Sequence, residues 1–109
     1  MKFIDVYEND YGNNIILPMD ATLRLVLEEN PSTGYRWQIS TQSGNCLEIV
    51  SYKFLPNTSH LIGAAGVVEF YFKPVTLGYC KLYLKLWRPW EGDQSIVKRF
   101  QVGISVVSR

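Results

Sequence analysis

An all-β chain, folded as an antiparallel sandwich of about seven to eight strands, is what the sequence predicts, and three observations carry that expectation. Apolar and polar residues alternate with a period of two, and no stretch shows the 3.6-residue period of a helix. Turn-forming residues interrupt that alternation at roughly the 8–12-residue spacing of sandwich proteins. The aromatic fraction of 14%, with Tyr, Trp and Val prominent, favours pleated, half-buried surfaces.

Phe3, Ile4, Val6 and Tyr7 read as a first short strand, broken by Asn9-Asp10-Tyr11-Gly12-Asn13-Asn14 and resumed by Ile15, Ile16 and Leu17 until Pro18. Thr22 to Glu28 sets Leu23, Leu25 and Leu27 on one face and Arg24, Val26 and Glu28 on the other. After Asn30 to Gly34, the residues Tyr35, Trp37 and Ile39 share a face, and a Trp on this strand is where immunoglobulin-like sandwiches bury theirs, so Trp37 is expected in the core. A strand from Cys46 to Leu55 ends at Pro56-Asn57, and a ten-residue connection follows to Gly66. Val67 to Lys73 turns Val68, Phe70 and Phe72 inward; Tyr79 to Trp87 does the same with Cys80, Leu82, Leu84 and Leu86. The last strand is expected from about Ser95, with Phe100, Val102, Ile104 and Val106 inward. The fold expected is therefore an immunoglobulin-like β-sandwich in one domain, residues 1–109.

Composition excludes several functions. Eleven basic residues oppose ten acidic ones without a basic stripe, so nucleic acid is not an expected partner. No apolar run reaches the length of a membrane helix, so no membrane association is expected. Asp5 and Glu8 arrive too early for a secretory signal, which points to a cytoplasmic protein. Cys46 and Cys80 then read as reduced core thiols, with a single disulfide between them as the alternative. With His60 they make a poor zinc set, and His60 in a polar loop is badly placed for a Cys–His dyad with the inward Cys80. No metal, cofactor or catalytic residue is expected. A monomer is expected for the free protein.

Three loops fall at one end of such a sandwich, and these three carry the unusual residues. In Asn30-Pro31-Ser32-Thr33-Gly34-Tyr35, Pro31 fixes its own φ, restricts Asn30, and Gly34 can take a positive φ, so the hydroxyls of Ser32 and Thr33 are held at nearly fixed positions. Those hydroxyls either stabilise the turn or face a partner; no base lies nearby to make either a nucleophile. The second loop sets Leu61 and Ile62 beside Gly63-Ala64-Ala65-Gly66, an apolar pair next to small residues that allow close approach. In the third, Arg88 and Trp90 flank Pro89, and Arg and Trp are the types enriched in binding hot spots.

With these residues in place the chain resembles the chagasin-type inhibitors of papain-like cysteine peptidases. Asn30 to Tyr35 is similar to that family's N-P-[ST]-T-G-[FY], Gly63 to Gly66 to its G-x-G-G, and Arg88-Pro89-Trp90 to its R-P-[FW], in the same order and across essentially the whole domain. Ala65 departs from the family's glycine, which puts the path of the second loop in question, and Ser32 replaces the commoner threonine. The resemblance implies a reversible, tight-binding inhibitor and no enzyme. The first loop would lie over the target's catalytic Cys–His pair. Leu61 and Ile62 would reach the specificity pocket on the unprimed side. On the primed side, Arg88 would seek an acidic or carbonyl partner and Trp90 an aromatic of the peptidase. The competing expectation is an immunoglobulin-like adhesion or carbohydrate-binding module. Asn57-Thr58-Ser59 is formally a glycosylation sequon, and a glycan there would obstruct the second loop.

Overall fold

Period-two alternation builds two four-stranded sheets. The computed structural model describes residues 2–56 and 65–108. The described residues form eight strands: β1 (Lys2–Tyr7), β2 (Asn14–Pro18), β3 (Ala21–Glu29), β4 (Arg36–Ser43), β5 (Leu47–Leu55), β6 (Gly66–Pro74), β7 (Gly78–Trp87) and β8 (Lys98–Val107). One sheet has the order β1-β3-β6-β5 and the other β2-β8-β7-β4. Between them lie Leu23, Leu25, Leu27, Phe70, Phe72, Leu82, Leu84, Val102 and Ile104, all buried, and Trp37 is 6% exposed, as its place in the alternation requires. Each fully buried Leu or Phe contributes roughly 1.5–3 kcal/mol relative to exposure.

The N-terminal segment departs from the expected single antiparallel strand. β1 pairs parallel with β3, and β2 pairs parallel with β8, so both sheets are mixed. The switch is made by a 3-10 turn at Glu8–Asp10, where the Asp10 carboxylate accepts the Tyr7 N–H at 2.9 Å and the Tyr11 N–H bonds Glu8 O at 3.2 Å. This compact turn carries the chain from one sheet to the other. The last strand begins at Lys98 rather than Ser95, because Asp93–Ser95 forms another 3-10 turn with Ser95 buried.

Cys46 and Cys80 are joined as a disulfide, the alternative to the free thiols that the expected compartment favoured. Register brings them together: Gly44, at φ 95°, turns the chain between β4 and β5 so that Cys46 meets the start of β7, with Cα atoms 5.9 Å apart. A side chain at Gly44 would meet the Tyr79 carbonyl at 2.7 Å. The expectation of free thiols rested on compartment, and sequence spacing carries no sign of this three-dimensional proximity.

Candidate functional site

Strand register gathers the loop roots at one end. Glu29 at the end of β3 pairs with Gly66 at the start of β6, and Arg36 at the start of β4 pairs with Trp87 at the end of β7. The β3–β4, β5–β6 and β7–β8 connections therefore leave the sandwich side by side, and the disulfide sits at the opposite end.

The first loop is a self-bonded unit. Asn30 adopts an extended backbone, and its Oδ1 accepts from the Ser32 N–H at 3.1 Å and the Ser32 hydroxyl at 2.7 Å. Pro31–Thr33 makes one 3-10 turn, closed by the Gly34 N–H on Pro31 O at 3.1 Å with Gly34 at φ 81°. The Thr33 hydroxyl donates to Asn30 O at 2.8 Å and accepts the Tyr35 N–H at 3.4 Å. Of the two roles open to Ser32 and Thr33, turn stabilisation is the one made within the chain. Both residues are exposed, and what they still offer a partner is acceptor capacity and the Thr33 methyl.

The third loop is locked onto the first. Arg88 donates from Nε and Nη2 to the Thr33 carbonyl at 3.1 and 2.9 Å, and its guanidinium lies 4.3 Å from the centre of the Tyr35 ring. Nη1 also approaches Glu91 at 3.4 Å. Within the free protein Arg88 is thus already engaged by a carbonyl and a carboxylate of its own chain. Pro89–Glu91 forms a 3-10 turn that presents Trp90, which is 69% exposed. The Trp90 ring edge lies over Gly34 so closely that a Cβ there would sit 2.7 Å from its Cη2.

Behind this pair stand residues the sequence motifs do not mark. The Ser95 hydroxyl accepts the Arg88 N–H at 2.9 Å and reaches Gly92 O at 2.6 Å, fixing the loop's width. Lys85 holds Asp93 at 2.9 Å and lies 3.6 Å from the Trp87 ring centre; its hydrogen bond keeps the Asp93 carboxyl below the usual carboxylate range. Glu29 accepts the Trp37 N–H at 2.7 Å while the Trp37 indole N–H donates to Glu28 O at 2.9 Å, which ties the first loop's two roots together. Glu29 immediately precedes the Asn30 motif, so its position was a signal; for Ser95 no signal existed.

Of the second loop, Leu61, Ile62, Gly63 and Ala64 lie outside the described residues, as does the Asn57 sequon. Its C-terminal root is described: Ala65 is half-buried and Gly66 is buried. Gly66 is not among the glycines at positive φ. It is required by close approach, because a Cβ would overlap the Leu55 carbonyl and lie 2.7 Å from Phe54 Cζ. Between the first and third loops and Phe54 of β5 is a cleft of about 340 Å³, lined also by Glu29, Pro31, Gly34, Tyr35, Arg36 and Trp90.

Among the described residues no cluster of three or more His, Cys, Asp or Glu side chains could hold a metal ion. A sandwich that projects stiff, mutually braced loops from one end, with an exposed Trp and an apolar cleft between them, belongs to the class of loop-presenting binding modules. Its family is given by comparison with known proteins: residues 17–104 match the model of the chagasin family of peptidase inhibitors, I42, and the chain belongs to that family. It is 28% identical to chagasin of Trypanosoma cruzi over 95 residues, 84% of this chain and 86% of that protein. With amoebiasin-2 of Entamoeba histolytica it shares 33% identity over 70 residues, 63% of this chain and 57% of that protein. The fold matches the Entamoeba histolytica cysteine protease inhibitor EhICP2 with a TM-score of 0.82 at 22% identity, over 98% of this chain and 97% of the other. PbICP-C, solved in complex with falcipain-2, superposes with a TM-score of 0.72 at 14% identity over 98% of this chain and all of its own (100%).

Proposed function

We propose that this protein is a reversible, tight-binding inhibitor of papain-like (cathepsin-type) cysteine peptidases, blocking the active-site cleft with three loops. It is an inhibitor and not an enzyme. The observation that carries the reading is the bracing of the first and third loops, Arg88 on Thr33 and Trp90 over Gly34. Loops already held in the docking arrangement lose little conformational freedom on binding, which favours high affinity. Self-bonded backbone also resists being drawn into a cleavable, extended register. Asn30 to Tyr35 is the central element and faces the catalytic dyad of the target. Trp90 and Pro89 cover one side, and Leu61 to Gly66 the other. Arg88 acts from behind, as the brace.

The test is a titration of papain with the protein while hydrolysis of a small substrate is followed. Stoichiometric, non-covalent inhibition with the inhibitor recovered intact is expected. No inhibition at micromolar concentration would reject the reading in favour of an adhesion or carbohydrate-binding module. We also propose a cytoplasmic location, supported by the Asn57 sequon, since a glycan in the second loop would obstruct binding. Cell fractionation checks it: recovery with vesicles or the medium, where a disulfide forms readily, would contradict it.

A further inference from the structure

The flank of the sandwich between β4 and β5 is open. Both strands are sheet edges, and both carry an irregularity in register, between Ile39 and Thr41 and between Ile49 and Ser51. Of the nine residues of β5 only Leu47 is buried; Ile49, Val50, Tyr52 and Leu55 are 43, 59, 66 and 39% exposed. Its neighbour β6 buries every second residue, so the exposure belongs to the edge and not to the sheet. Between the edges runs a groove of about 480 Å³ walled by Ile39, Ile49, Tyr52, Phe54 and Phe70. A contiguous apolar surface of this kind marks a contact site.

Two observations say what covers it. First, the groove is continuous with the loop surface: Arg36, Phe54 and Glu29 line both it and the cleft beneath the first and third loops, and Pro89 of the third loop stands at its head. A protein seated on the loops is brought to the groove's mouth. Second, Arg36 at that mouth is exposed and has no ion pair or hydrogen bond to any described side chain, whereas Glu29 is engaged by the Trp37 N–H. A free guanidinium beside an apolar wall selects a carboxylate adjacent to an apolar side chain.

We propose that the β4–β5 groove is a second contact site for the inhibited peptidase, outside its catalytic cleft. It takes an exposed segment of the peptidase's rim, in which an apolar side chain lies against Tyr52 and Phe54 and a neighbouring carboxylate pairs with Arg36. The inference rests on the inhibitory function proposed above. It adds a consequence: peptidases with the same cleft are discriminated by their rims.

The test compares Tyr52→Ser and Arg36→Glu with the unaltered protein against a panel of papain-like peptidases of known surface sequence. Tyr52→Ser should raise the inhibition constant about 5–20-fold for peptidases with an apolar–acidic rim segment and leave the others unchanged, whereas Arg36→Glu, whose side chain also lines the loop cleft, should raise it by that factor more for those peptidases than for the others. The Arg36→Glu effect should shrink at high salt, while the thermal midpoint stays put. Ile49→Thr, a β-compatible change on the same wall, serves as a second variant should Tyr52→Ser fold poorly. Normal inhibition by the unaltered protein with all variant constants unchanged overturns the groove alone. Absence of inhibition by the unaltered protein overturns both readings. A dimer in sedimentation that Tyr52→Ser dissolves assigns the groove to a second copy and also overturns the proposal.

Discussion

Replacing Arg88 separates a brace from a contact. In the free protein its guanidinium makes two hydrogen bonds to the Thr33 carbonyl and lies over the Tyr35 ring. Hydrogen bonds from a charged donor are worth about 1.5–3 kcal/mol, and the side chain is 32% exposed, so the lower end applies to the pair together. The ring contact adds about 0.5–1 kcal/mol. Arg88→Ala therefore frees the two loops from one another by about 2–2.5 kcal/mol, and if docking needs them braced the inhibition constant rises roughly 30–70-fold. Arg88→Lys is the sharper variant. It keeps the charge but loses the planar fork and the stack, and should weaken inhibition by about tenfold. The assay is steady-state inhibition of a cathepsin-type peptidase with a small fluorogenic substrate, paired with thermal unfolding. Arg88→Lys inhibiting like the unaltered protein, while Arg88→Ala fails, would refute the brace and make Arg88 a point charge directed at the enzyme.

Trp90→Ala should speed dissociation about 10–100-fold with almost no change in thermal midpoint, since the ring is 69% exposed; a large loss of stability would mean that the ring is structural. Gly34→Ala should cost about 1 kcal/mol from the backbone at φ 81° and displace Trp90, so inhibition should fall further than stability does. Reducing the disulfide, or changing Cys46 and Cys80 to Ala, should lower stability by about 3–4 kcal/mol for a separation of 34 residues. The inhibition constant below the new midpoint should be unchanged, because the bridge lies at the end away from the loops; coupled loss of affinity would show that the two ends communicate.

The sandwich was legible because strands buried on one face must alternate, as Leu23 to Leu27 and Cys80 to Leu86 do. What periodicity lacks is partner identity. Nothing in Phe3 to Leu17 distinguishes one interrupted strand from two strands in different sheets, since the 3-10 turn at Glu8–Asp10 uses the same residue types as any loop. Likewise Ile49, Tyr52 and Phe54 look like core residues, and only the position of β5 at a sheet edge leaves Ile49 and Tyr52 exposed and Phe54 half-buried. At the site, the stiff loops were readable from Pro31, Gly34 and Pro89. The direction of Arg88 was not, because its carbonyl partner Thr33 is 55 residues away in sequence and adjacent only through the pairing of Arg36 with Trp87. Ser95 was unreadable for the same reason: a buried hydroxyl that caps a loop carries the same letter as an exposed one.

The central claim is that the loops occupy the peptidase's cleft. It is tested most directly by measuring binding to a papain-like peptidase before and after the cleft is filled by a covalent peptidyl inhibitor. Loss of at least a hundredfold in affinity on filling is the expected result, about 2.7 kcal/mol. Undiminished binding to the filled enzyme would contradict it.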